Sequence, residues 1–237
     1  MSLNQDRPFV TTGILLLLFS GFFGMTFALL GTSIHWPMSL SDDPATAFPL
    51  IADNHVWVVL GYYSFIVTSL LLVPAAMFVR KTMGWERNPW ADVAVAFAVL
   101  AAVFRVLGIF RWLFLMPGLA GEYLSPQASA SSKETIELIY RAFSWYADGF
   151  GTHLGDQLFT GIWIGIVGVL LLKNRRTGWL GWLGIGVFMA QVLACATDFL
   201  FSPNPFLSVV QSTVYLWVTL FGVLMLSRRR AFEEPHN

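Results

Sequence analysis

The chain has 237 residues, 56% of them hydrophobic and 12% charged, with 14 basic and 14 acidic side chains and a formal net charge of zero. An average soluble domain is roughly 25% charged, so this composition excludes both a disordered chain and a water-coated globule and points to a bilayer as solvent. No basic block exceeds Arg228 to Arg230, which leaves no footprint for a nucleic-acid partner.

Six apolar stretches, at about 9–30, 55–79, 90–116, 150–172, 179–201 and 206–226, reach the roughly 20 residues that a hydrocarbon core about 30 Å thick requires. The expectation is an all-α, polytopic bundle of six transmembrane helices forming a single domain over residues 1–237. The first stretch follows Arg7 and ends in Gly31 to Ser33. It is longer than the apolar part of a secretory signal, about 7 to 15 residues, and reads as a retained helix. Lys and Arg near helix ends stay on the cytoplasmic side. With six spans, Arg7, Arg80, Lys81, Arg87, Lys173, Arg175, Arg176 and Arg228 to Arg230 share one face, 10 of the 14 basic residues. Both termini are therefore expected on the cytoplasmic side. Trp85, Trp90, Trp179 and Trp182 would mark the inner interface, and Trp36, Trp57, Trp112 and Trp145 the outer one.

Between the third and fourth spans, Pro117 is expected to stop the third helix. Ser131-Ser132-Lys133-Glu134 reads as a capping box opening a new one. Ile136, Ile139, Tyr140, Phe143 and Tyr146 then recur at helical spacing among polar residues, an amphipathic helix over about 132–148 that either lies on the membrane or lids a site beneath it. Gly149 and Gly151 are the expected break before the fourth span.

The remaining charges are the expensive ones. Arg105 lies near the middle of the third span, where an arginine costs roughly 2.5 to 3.5 kcal/mol to insert. Arg111 lies six residues on, about 9 Å nearer the outer surface. By depth, Gln191 of the fifth span matches Arg105, whereas Asp156 of the fourth and Asp198 of the fifth match Arg111, with Asp148 shallower still. His153, Asp156 and Gln157 share one helix face. The inner half of every span is almost wholly apolar, so these groups suggest one outward-facing polar pocket rather than a path across the membrane. His153 with Asp156 makes an incomplete ligand pair, without a second His at helical spacing, and neither a metal nor a cofactor is expected. Glycines at 161, 165 and 168, with 181 and 184, read as close-packing faces.

These features resemble a large bacterial family of uncharacterised integral membrane proteins, annotated only as a domain of unknown function. The likeness rests on Asp43-Pro44-Ala45 in the first outer loop, a second span ending in Arg80, the third-span arginine in Ala102-Val103-Phe104-Arg105-Val106, and Gly178-Trp179-Leu180-Gly181 opening the fifth span. It implies the six-helix fold and no assigned activity. Family members often carry a glutamate a few residues after that arginine. Here those places hold Leu107, Gly108 and Ile109, so Asp198 or Asp156 is expected to neutralise Arg105 instead.

Three functional expectations follow. The first is a pocket in which Arg105, Arg111, His153, Asp156, Gln157, Gln191 and Asp198 bind a small anionic or lipid-headgroup ligand. The second is an accessory subunit of a larger membrane complex, with the arginines and aspartates as structural pairs. The third is a membrane enzyme acting on a lipid-linked substrate through His153.

Overall fold

The computed structural model describes residues 3–37, 43–198 and 207–227, with side chains described except at 3–6, 198, 207 and 208. In chain order the α-helices are α1 (Leu3–Ile34), α2 (Pro44–Asp53), α3 (His55–Thr82), α4 (Pro89–Phe110), α5 (Met116–Tyr123), α6 (Ala130–Asp148), α7 (Thr160–Leu171), α8 (Gly178–Asp198) and α9 (Leu207–Ser227). Two wider π-helical stretches, Arg111–Leu115 and Gly149–Phe159, join α4 to α5 and α6 to α7. Among the described residues there is no strand.

Six helical runs are long and apolar enough to cross a membrane: Arg7–Ile34, His55–Thr82, Pro89–Tyr123, Ala130–Leu171, Gly178–Thr197 and Val209–Ser227. Helix α1 packs on α3 and α9, α3 on α4, α4 on the second π stretch and α7, α7 on α8, and α8 on α9. Large apolar side chains such as Leu193, Leu216 and Phe114 point outward at 65 to 69% exposure. That inverts the arrangement of a water-soluble fold and suits lipid.

Small residues set how closely the helices approach. A Cβ at Gly168 would sit 2.8 Å from the Gly181 carbonyl oxygen, one at Gly181 2.5 Å from that of Gly168, and one at Gly184 3.1 Å from the Trp217 ring. These are the expected close-packing faces. In α3, Ser64 and Thr68 could each bond to a carbonyl one turn earlier, but Ser64 does not. Its hydroxyl donates across to the Phe22 carbonyl of α1 at 2.7 Å, whereas Thr68 bonds one turn back to Ser64 at 3.1 Å.

The structure corrects the reading of the segment between the third and fourth spans. Pro117 does not stop the third helix, which runs on to Tyr123. A proline ring normally meets the carbonyl four residues earlier; here the wide turn of Arg111–Leu115 precedes it and Pro117 falls in the first turn of α5. Gly149 and Gly151 do not break the next helix either. Residues 130–171 form one helical run of 42 residues, about 63 Å at 1.5 Å per residue, twice the hydrocarbon core. The expected capping box is displaced. Ser129, extended at φ −71° and ψ 161°, caps α6 by accepting from the Ser132 amide at 3.1 Å.

Pro44–Asp53, expected within the first outer loop, forms helix α2, for which Asp43-Pro44 supplies a cap followed by proline at a first helical position. With α5 and α6 it builds a cap on one end of the bundle. Phe48, fully buried, lies 5.0 Å from the Tyr123 ring and 5.1 Å from Tyr140. The Tyr123 hydroxyl donates to Glu137 at 3.0 Å, and Arg141 reaches Asp43 at 3.5 Å. On α6 the buried residues are Ile136, Tyr140, Ser144 and Ala147, while Phe143 and Tyr146 are exposed. Trp36 and Trp112 are not interfacial. Both are buried beneath the cap, Trp112 stacked on Tyr62 at 5.4 Å and Trp36 edge-on to Phe65 at 6.0 Å. Arg80 and Lys81 in the last turn of α3, with Arg87, Lys173, Arg175 and Arg176 in the connections, lie at the opposite end; Arg228 to Arg230 lie outside the described residues.

Candidate functional site: two arginine–aspartate pairs beneath the cap

Glycines bring α4 against the second π stretch. A Cβ on Gly108 would fall 2.7 Å from Gly151 Cα, and one on Gly155 would fall 2.9 Å from the Arg105 amide nitrogen. Ala147, Gly151 and Gly155 thus form a small-residue stripe at four-residue spacing, the pattern that lets membrane helices touch backbone to backbone. The consequence is electrostatic: the Arg105 side chain, 1% exposed, closes an ion pair through Nε with Asp156, 9% exposed. Such a pair survives in a low-dielectric interior only when further hydrogen bonds satisfy it. Arg105 Nη2 donates to the Thr160 hydroxyl at 2.9 Å, and that hydroxyl donates to the Gly155 carbonyl five residues earlier at 2.8 Å. The guanidinium also stands 5.8 Å from the Phe19 ring centre, within cation–π range.

One and a half turns along, Arg111 repeats the arrangement nearer the cap. Its Nη2 meets Asp148 at 2.5 Å, Nη1 donates to the Ser144 carbonyl, and its carbon Cζ lies 5.2 Å from the Trp112 ring. Between the pairs is a cavity of about 40 Å³ whose lining includes Arg105, Arg111, Asp148, Asp156, Tyr62 and Gln211. Three buried donors there have no hydrogen-bond partner among the described residues: Arg105 Nη1, Arg111 Nε and the Tyr62 hydroxyl. At roughly 10 to 15 Å³ per water-sized occupant, the cavity admits a few small atoms, far less than the roughly 300 to 1,000 Å³ of a drug-sized site.

The structure brings together some expected residues and separates others. Arg105, Arg111 and Asp156 line the cavity. Asp156 answers Arg105, as expected in place of the missing glutamate, but Arg111 takes Asp148 rather than Asp156. The helix ahead of the fourth span continues without a break, which keeps Asp148 beside the third. Gln191 is fully buried and donates to the Val210 carbonyl at 2.8 Å, joining α8 to α9 away from the cavity lining. Gln157 is fully buried and His153 half-buried; neither is among the lining residues, and His153 Nδ1 donates to the Asp148 carbonyl at 3.0 Å. The Asp198 side chain lies outside the described residues.

Sequence reasoning missed Thr160, Tyr62, Ser144 and Gln211. Thr160 had a usable signal, one turn from Asp156 on the same helix. Tyr62 and Gln211 come from other helices and had none. Among the described residues no three His, Cys, Asp or Glu side chains converge as a metal site would require.

One comparison places the chain in a family: residues 11–228 match the model described as domain of unknown function DUF4386. The chain belongs to the DUF4386 family. No curated protein and no solved structure matches it. The match spans α2 to α9 entirely and most of α1, so both arginine–aspartate pairs of this DUF4386 protein lie inside the family domain.

Proposed function

We infer that this protein is a multi-pass protein of the bacterial inner membrane, with both termini inside and the capped end outside, whose buried arginine–aspartate cavity receives a small acceptor group, such as an anion or the charged tip of a lipid headgroup. The basic turns at the end away from the cap support the orientation. The observation that carries the binding reading is that three residues lining one small cavity, Arg105, Arg111 and Tyr62, each hold a buried donor without a partner among the described residues. A buried donor without an acceptor costs about 1 to 3 kcal/mol, which an entering carboxylate, phosphate or halide recovers. The two arginines and two aspartates sum to zero charge, so selectivity rests on donor geometry rather than on net field.

The test is a thermal-unfolding series in detergent with chloride, acetate and phosphate at constant ionic strength. Saturable stabilisation by one anion is expected in the wild type and is lost in Tyr62→Phe. Equal curves for every anion sink the reading. A second reading follows from each arginine already having its acid: the pairs are structural and the protein is an accessory subunit. Co-purification of a stoichiometric membrane partner, with no anion effect, favours it.

A further inference from the structure

At the end opposite the cap, the turn between α3 and α4 holds a second opening of about 500 Å³, lined by Met77, Phe78, Arg80, Lys81, Glu86, Asp92 and Val95. Its chemistry is graded along the helix axes. Met77 precedes Lys81 by four residues and Val95 follows Asp92 by three, which sets the apolar residues about 4.5 to 6 Å deeper toward the spans. The charged residues form the rim.

That rim is not a basic patch. Arg80 is committed, with Nη2 at 2.6 Å from Asp92 and 2.8 Å from the Glu86 carbonyl oxygen; its Nε is buried without a partner. Lys81 and Glu86 are exposed and enter none of the described ion pairs. One cation and one carboxylate outside the described ion pairs therefore rim an opening floored by Met77, Phe78 and Val95.

We propose that this opening seats the headgroup of a zwitterionic phospholipid bearing a primary ammonium, as in phosphatidylethanolamine. The phosphate accepts from Lys81, the ammonium donates to Glu86, and the glycerol and upper acyl chains lie against Met77, Phe78 and Val95. An anionic headgroup satisfies the cations but sets its second polar end against Glu86 and Asp92. A trimethylammonium headgroup has no N–H to donate. The apolar floor selects a lipid over the free phosphoester. This site is separate from the cavity beneath the cap.

The experiment is native mass spectrometry of the whole protein released from nanodiscs containing equal parts of phosphatidylethanolamine, phosphatidylcholine and phosphatidylglycerol. The wild type is expected to retain phosphatidylethanolamine about threefold over each of the other two lipids, the scale of one partly exposed charge pair. Glu86→Gln is expected to equalise phosphatidylethanolamine and phosphatidylcholine, and Lys81→Gln to reduce retention of all three. Neither residue joins the Arg80–Asp92 pair, so circular dichroism of both variants should match the wild type. Retention in proportion to the mixture, preference for phosphatidylglycerol, or a preference unchanged in both variants overturns the proposal.

Discussion

Removing the Asp156 carboxylate is the sharpest perturbation the structure offers. In Asp156→Ala the Arg105 guanidinium keeps Thr160 as its hydrogen-bond acceptor but stays charged at 1% exposure, too deep to reach water. Stripping one member of a buried pair costs about 3 to 5 kcal/mol, whereas replacing both by well-packed apolar residues is often neutral or stabilising. Asp156→Ala should therefore lower the folding equilibrium constant by about two to four decades, and Arg105→Met/Asp156→Leu should recover most of that loss. Equilibrium unfolding in mixed micelles of the wild type, each single variant and the double variant measures the coupling directly. A single-variant cost below about 1 kcal/mol, or a double variant equal to the sum of its parts, would refute a desolvated ion pair as the link between α4 and the second π stretch.

Thr160→Val keeps the shape but removes the acceptor for Arg105, and should cost about 1.5 to 3 kcal/mol in the same unfolding assay. Gly155→Ala drives a methyl to 2.9 Å from the Arg105 amide nitrogen and should lower stability by about 1 to 3 kcal/mol. Gly24→Ala, with nothing within 4 Å, should match or exceed the wild type by a few tenths to about 1 kcal/mol. With Cys195 replaced by Ala, a cysteine at Gln127 should react with a membrane-impermeant maleimide in intact cells, and one at Arg175 only after permeabilisation; the reverse pattern would invert the orientation.

The spans were legible because hydrocarbon imposes length and composition on a helix independently of its neighbours. Arg105 and Asp156 were legible for the same reason: a charge at that depth is costly wherever it points. Their pairing was half legible, since depth matched Asp156 to Arg111 while the missing glutamate assigned it to Arg105. Depth failed for Asp148 because Gly149 and Gly151 were read by intrinsic propensity. In the fold Gly151 lies 3.1 Å from the chain at Gly108, measured from the Cβ it lacks, and packing outweighs the roughly 1 kcal/mol by which glycine disfavours a helix. Trp112 shows the opposite failure. Its composition suited an interface, but its partner Tyr62 comes from another helix, and no local pattern announces a contact across 50 positions.

The π stretch Gly149–Phe159 can be viewed as a dislocation in an otherwise regular rod. An α-helix turns about 100° per residue, so each register change from i+4 to i+5 bonding offsets the residues beyond it by about one position around the axis. The cap half, carrying Ser144 and Asp148, and the span half, carrying Asp156 and Thr160, are phased separately although they share one helix. Forcing this stretch into α-helical register at unchanged length would swing one acid away from α4 by about 100° for each such register change, whichever half stayed anchored. The phase between the two acids thus rests on the wide register as much as on the number of residues between them.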